Sequence, residues 1–252
     1  MAALNEIVSF CDELLAIGEF DDYCPNGLQV PGTDEVERVV TGVSANLELL
    51  RAAADERAEL VVVHHGLFWD RGSRALSPAL AERLRVVLEA RISLCGYHLP
   101  LDAHPEVGNN ALLCAGLGLE QGGRFAEIGG SAIGVIGVAA DPISPGELSA
   151  RVANLVGREP LAFEEGPGEV RSVGIVSGGG ASSLEQAAAL GLDAMITGEP
   201  NEPARATARE SGIHFIAAGH HATETFGIRR LGELIAERFG VEHRFIEVPN
   251  PV

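Results

Sequence analysis

The 252-residue chain predicts an α/β fold built as two related three-layer α/β domains with mostly parallel sheets. Three observations predict it. Two passages read as copies of one strand–turn–helix–strand unit, each copy is followed by a further helix and strand, and a glycine-rich region lies between the two series. Strand, helix, strand in succession implies right-handed crossovers and therefore parallel pairing.

Taken in order, the start "MAALNEIVSFCDELL" carries Asn5, Glu6, Asp12 and Glu13 among apolar residues and lacks a basic leader, so it reads as an amphipathic helix. "DDYCPNGLQV" (21 to 30) is a Pro-Asn-Gly turn feeding a strand. The first copy, "VVTGVSANLELLRAAADERAELVVVHHG", spans 39 to 66 and is followed by a helix near 78 to 90 and a strand near 91 to 97. The second copy, "SVGIVSGGGASSLEQAAALGLDAMITGE", spans 172 to 199 and leads to a helix near 202 to 211 and a strand near 213 to 218. Between them, "SPGELSARVANLVG" (144 to 157) opens on a Ser-x-x-Glu capping box and reads as a helix. The glycine-rich stretch 117 to 134 marks the join, which places the domains at 1–125 and 126–252. The closing helix "GIRRLGELIAERFG" and strand "HRFIEVP" fit either sheet and can pack on the first domain.

Composition removes several mechanisms. The net charge of −18 comes from 36 acids against 18 bases, and all of the bases are arginine. A chain without lysine has no Walker-type phosphate lysine, Schiff base or pyridoxal anchor. Its acidity also opposes broad duplex binding, which needs cationic contacts to phosphate. Cys11, Cys24, Cys95 and Cys114 form no C-x-x-C pair, so they read as reduced and buried. No apolar run approaches the roughly 20 residues of a bilayer span. Cytoplasmic residence is the expectation, with neither nucleic acid nor membrane as a partner.

Six of the eight histidines fall in three short segments, each at or near the end of an apolar strand. "VVVHHGLFW" brings His64 and His65; "GYHLPLDAHPEVGNN" brings His98, Asp102 and His104; "AAGHHATE" brings His220, His221 and Glu224. Carboxyl ends of parallel strands are where open α/β sheets build ligand sites. Imidazole and carboxylate together suit zinc, manganese, iron or nickel. His220 and Glu224 stand four apart, so they share a helix face. Aligned on the preceding strands, His98 falls opposite His220 and Asp102 opposite Glu224. A carboxylate such as Asp102 or Glu224 can bridge two cations about 3.5–4 Å apart. A metal site in the cleft between the two domains is therefore expected. His104, beside Pro105, reads as a loop residue, and "SGGGASS" (177 to 183) as a tight packing turn. Phe68 and Trp69 suit either stacking on a base or burial at a subunit contact.

Together "YCPNGLQVPG", "VVVHHGLFW", "YHLPLDAHPEVGNN", "ITGE", "AAGHHATE" and the terminal "FIEVPNPV" resemble the Nif-three-like dinuclear metal-centre family, whose members are often labelled GTP cyclohydrolase I type 2 homologs. The resemblance runs in order from about residue 4 to the C-terminus, in the compact form without an inserted middle domain. It implies a toroidal homohexamer with two divalent metal ions per subunit facing an internal cavity. The ligand pattern of the family falls on His64, His65, Asp102, His220 and Glu224. His221 stands where many relatives carry an aromatic residue, and reads as lining the cavity. His98 takes an orienting or proton-transferring role, and Asn26 lies on a loop that the family places near the metals.

Three functional readings follow. One is a metal-dependent hydrolase of a nucleotide or heterocycle, with His98 or His221 moving protons; if the family label applies, the reaction opens the imidazole ring of guanine in GTP. Another is a non-catalytic oligomeric protein serving metal homeostasis or acting as a scaffold. Single-stranded nucleic acid threading a ring is a third, which the acidity opposes.

Overall fold

The central parallel strands of this chain are apolar runs buried on both faces, and the first of them to set the architecture is the run ahead of His64. The computed structural model describes residues 1–69 and 75–252. It divides into two units, Met1–Leu101 with Gly227–Pro249, and Asp102–Phe226 with Asn250–Val252.

The first unit begins with β1 (Ala2–Ala3), α1 (Leu4–Leu14), β2 (Gly27–Val30) and β3 (Glu35–Val36). Then come β4 (Arg38–Ser44), α2 (Leu47–Asp55), β5 (Leu60–His65), α3 (Pro78–Glu89) and β6 (Ser93–Gly96). Asn46 caps α2 by accepting from the N–H of Leu49, and Ser77 caps α3 by accepting from Leu80 with Pro78 behind it. The short helix α4 (Leu99–Ala103) contains the division between the units.

In the second unit α5 (Asn109–Gly116), β7 (Glu120–Ile128), β8 (Ser131–Ile143), α6 (Pro145–Val156) and β9 (Leu161–Phe163) precede β10 (Val170–Val176). A 3₁₀ turn over Gly180–Ser183 leads into α7 (Leu184–Ala189), followed by β11 (Ala194–Thr197), α8 (Ala204–Ser211), β12 (His214–Ala217) and α9 (His220–Thr223). The chain closes with α10 (Thr225–Phe239) and β13 (Glu242–Phe245), which belong almost wholly to the first unit.

The five-stranded sheet of the first unit has the order β13-β4-β5-β6-β2, parallel throughout except for β2. Val40, Val61, Val63 and Leu94 pack with Leu49, Leu50 and Ala53 of α2 and Val87 of α3 on one face. On the other face α10 lies against β13, where a Cβ on Gly232 would meet the His243 ring at 2.1 Å. The closing strand therefore joins the first sheet, beside β4.

The six-stranded sheet of the second unit, β7-β8-β10-β11-β12-β9, is mixed rather than mostly parallel. Only β10-β11-β12 pair in parallel; β7-β8, β8-β10 and β12-β9 are antiparallel. One of these pairings has a local cause: Gly129 and Gly130, both at positive φ, close a tight hairpin between β7 and β8. That hairpin takes up most of the glycine-rich stretch, and the first division between the two compact units falls at Leu101/Asp102. Helices α5 and α6 contribute Leu113, Cys114, Leu148 and Val152 to a core with Val173, Ile175, Ile196 and Ile216.

Each unit thus contains a parallel β-α-β-α-β run, β4-α2-β5-α3-β6 in one and β10-α7-β11-α8-β12 in the other. These are the two copies visible in the sequence.

Candidate metal centre

His64 and His65 end β5, the central strand of the first sheet, where the strand order puts them at its carboxyl edge. His64 is fully buried, and its Nδ1 lies 2.9 Å from the carbonyl oxygen of Tyr97. A carbonyl only accepts, so Nδ1 carries a proton, and in the neutral ring Nε2 holds the lone pair. His65 Nδ1 lies 3.0 Å from Oγ of Ser44, its register partner on β4. His98 follows β6; its backbone N–H donates to Asn26 Oδ1, and its Nδ1 lies 2.9 Å from Asp22 Oδ1. Burial pushes the Asp22 carboxyl up, but hydrogen bonds from His98, Asn26 and the Cys24 N–H outweigh it and hold the group below its ordinary pKa. An ionised Asp22 makes Nδ1 of His98 the donor as well.

The three imidazole rings stand 4.7, 5.1 and 5.7 Å apart between centroids, and one nitrogen from each forms a group compact enough for a metal ion. His98 thus stands in the donor group beside His64 and His65. The glycine of His-His-Gly is required by packing: a Cβ on Gly66 would lie 2.2 Å from Nε2 of Gln29. Gln29 ties this loop to the Pro-Asn-Gly turn, accepting from the Leu67 N–H and donating to the Pro25 carbonyl.

In the second unit Asp102 is buried, and one carboxylate oxygen, Oδ1, accepts from both Asn109 Nδ2 and Ser177 Oγ at 2.8 Å. His220 and Glu224 belong to another group with metal-binding geometry, Nε2 to Oε1 at 3.1 Å. The i, i+4 spacing works because α9 makes a single turn that starts at His220, with Glu224 just past its end. Nδ1 of His220 lies 3.2 Å from Oε1 of Glu199. The hydrogen bond to Glu224, against opposing burial and with help from Glu199, pushes the His220 imidazole up to about 9. Two carboxylates around one imidazole favour positive charge at this spot, whether a proton or a divalent cation supplies it.

Glycines set the backbone here. Gly178 has φ +61, and a Cβ on it would lie 2.2 Å from Glu224 Oε1. Its N–H donates to Thr223 Oγ1, and its carbonyl accepts from Thr197 Oγ1. The 177 to 183 segment is thus a packing turn that carries the Glu224 side chain on its surface, as its composition suggests.

Other histidines and the Pro-Asn-Gly turn make these contacts. His104 Nδ1 accepts from the Glu106 and Val107 N–H groups, a loop role. His214 is buried between the Gly166 N–H and the Pro167 carbonyl. The His221 N–H donates to the Val252 carbonyl, tying the tail to the start of α9. Asn26 spends its side chain on Asp22, Cys24 and His98. All four cysteines are buried, and burial pushes Cys11 up to about 12 and Cys114 to about 11. Sequence reasoning assigned no role to Asp22, Glu199, Ser177 and Asn109, which orient the candidate donors. Glu199 and Asn109 lay within "ITGE" and "EVGNN", so position was visible but partner was not.

The donor chemistry fits a divalent cation. Imidazoles whose Nδ1 is fixed by a carbonyl or carboxylate, and a carboxylate oriented by two donors, are how proteins hold metal ligands in place. The set does not choose among zinc, iron, manganese and nickel. Among the described residues no helix is long and apolar enough to cross a membrane.

Comparison with known proteins agrees over the full length. The chain is 44% identical over 249 residues to the GTP cyclohydrolase 1 type 2 homolog of Pseudomonas aeruginosa, covering 99% of this chain and 98% of that one. The solved structure of protein ybgI superposes with a TM-score of 0.95 at 42% identity, covering both chains completely. TTHA1606 from Thermus thermophilus gives 0.90 at 33% identity, again with complete coverage of both. The profile of the Duf34/NIF3 (NGG1p interacting factor 3) family matches residues 2–251, and the chain belongs to that family.

Proposed function

We propose that this protein is a metal-dependent hydrolase of a nucleotide or heterocycle, working as a toroidal homohexamer with two divalent cations per subunit. His64, His65, Asp102, His220 and Glu224 are the ligands in this reading, and GTP is the first substrate to test, from the names of relatives such as that of Pseudomonas aeruginosa. The observation that carries it is the tautomer of His64. A fully buried imidazole with Nδ1 committed to the Tyr97 carbonyl has Nε2 as an acceptor, the state a metal ligand needs.

When bound, divalent cations supply Lewis acidity and activate water at neutral pH. The chain does the rest. Asn109 and Ser177 hold Asp102 in one rotamer, and Asp22 keeps the His98 Nδ1 proton in place so that its Nε2 can accept or bind. Glu199 orients His220 and offers a half-exposed carboxylate for proton transfer. His221 is the second candidate for moving a proton.

The test joins elemental analysis of the purified protein with GTP turnover, for the native chain and for His220→Ala and Glu224→Gln. Bound metal, turnover in the native protein and loss of both in the variants are expected. Metal lost from the variants without any native turnover would leave a metal-binding protein in homeostasis or scaffolding; full turnover without metal would reject the mechanism.

A further inference from the structure

Beside the three imidazoles of the first unit stand two aromatic rings that the metal reading does not use. Tyr23 and Trp69 are 5.8 Å apart between centroids with planes tilted by 32°. Both meet His98 edge-on, Tyr23 at 5.0 Å and 69°, Trp69 at 5.3 Å and 79°. Trp69 also lies 5.8 Å from His65. Tyr23 is 47% exposed and Trp69 half-buried, although both carry large apolar surfaces. The chain therefore holds two partly exposed rings at the edge of its donor group, where burial would be worth about 25 cal/mol per Å².

We infer that Tyr23 and Trp69 are a stacking platform for a planar nitrogen heterocycle, of which a nucleobase is the biological form. Stacked aromatic rings sit about 4.5–7 Å apart between centroids. Trp69 stands within that range of both His65 and His98, so a ring seated on the platform lies beside the imidazoles. Two rings of different tilt accept a π-face without reading its hydrogen-bonding edge, so the platform selects for planarity and not for a particular base. The inference rests on the hydrolase reading above and names the part of the substrate that its site grips.

Trp69 is the one tryptophan in the chain, so its fluorescence reports on this platform alone. Zinc, a closed-shell ion with no redox chemistry of its own, suits the holoprotein for this measurement. Guanosine added to zinc-loaded protein is expected to change Trp69 emission saturably, while ribose does not. Tyr23→Leu, read by fluorescence, and Trp69→Leu, read by equilibrium dialysis, are expected to weaken guanosine about tenfold or more, with Trp69→Phe within a few fold of native. Zinc content should be the same in all of them. No response to guanosine in protein that holds zinc, native-like affinity in both Leu variants, or loss of zinc on removing either ring would overturn the platform. So would Trp69 emission shielded from acrylamide until dilution separates subunits, because a second copy of the chain then covers the rings. A guanosine response in native protein that takes up none of zinc, iron, manganese or nickel when each is supplied would sink the hydrolase reading and leave the platform standing.

Discussion

The carbonyl oxygen of Tyr97 accepts from Nδ1 of His64 at 2.9 Å, while the phenol of the same Tyr97 donates to Asp12 Oδ1 at 2.8 Å. One buried residue thus anchors α1 with its side chain and orients a candidate ligand with its backbone. Burial pushes the Asp12 carboxyl up, and the phenol hydrogen bond works against that. Tyr97→Phe removes only the hydroxyl. It is expected to lower unfolding stability by about 1–3 kcal/mol, because the half-buried carboxylate loses its donor, and to loosen metal through His64. Urea unfolding and metal titration check both; an unchanged midpoint would mean that water replaces the phenol.

Ser177→Ala takes one of the two donors from Oδ1 of Asp102. Substitution of a residue that orients a metal ligand commonly weakens metal binding about 10–100-fold. The same range is expected here, with a stability loss near 1 kcal/mol. Competition with a chromophoric chelator gives the affinity. Ser177→Thr, which keeps the hydroxyl, should lie closer to native than Ala does.

Gly178 and Gly179 offer a matched comparison. At Gly178 the backbone is left-handed and a Cβ would lie 2.2 Å from Glu224; at Gly179 the nearest atom to a Cβ is Glu199 Oε1 at 3.4 Å. Gly178→Ala is expected to destabilise by about 1–2 kcal/mol from conformation alone and to release metal by displacing Glu224. Gly179→Ala should change melting temperature and metal content little. Equal behaviour of the two would show that Glu224 moves aside freely.

His243 makes stability depend on pH. Its Nε2 lies 2.8 Å from Thr41 Oγ1, and burial holds the imidazole below its ordinary pKa, with Glu233 opposing and Arg229 assisting. As pH falls through about 6.5, the unfolded chain takes up a proton that folded His243 resists. Its contribution is therefore complete above that pH and declines below it. Denaturant unfolding between about pH 5 and 7 should show a steeper acid loss for the native chain than for His243→Gln, with parallel profiles counting against burial of the neutral ring.

Much of this architecture was legible in the order of residues. The two strand–helix–strand copies and the capped helix α6 follow from periodicity and capping, which are local. The spacing of His220 and Glu224 likewise specifies their approach, because one helical turn separates them. The mixed second sheet was not legible: a Gly-Gly pair reads as a linker or as a hairpin until β8 finds β10. Nor was the orientation of the donors, since Asp22 meets His98, and Ser177 meets Asp102, across 76 and 75 residues of chain.

By itself, then, the order of residues determined which side chains reach the strand ends and that imidazole and carboxylate would gather there. Tertiary structure alone decided which nitrogen of His64 faces the Tyr97 carbonyl, which oxygen of Asp102 meets Ser177, and that Tyr23 and Trp69 stand against His98. The physical reason is that hydrogen-bond direction and ring stacking depend on partners brought together by packing, and pattern within a segment carries no information about them.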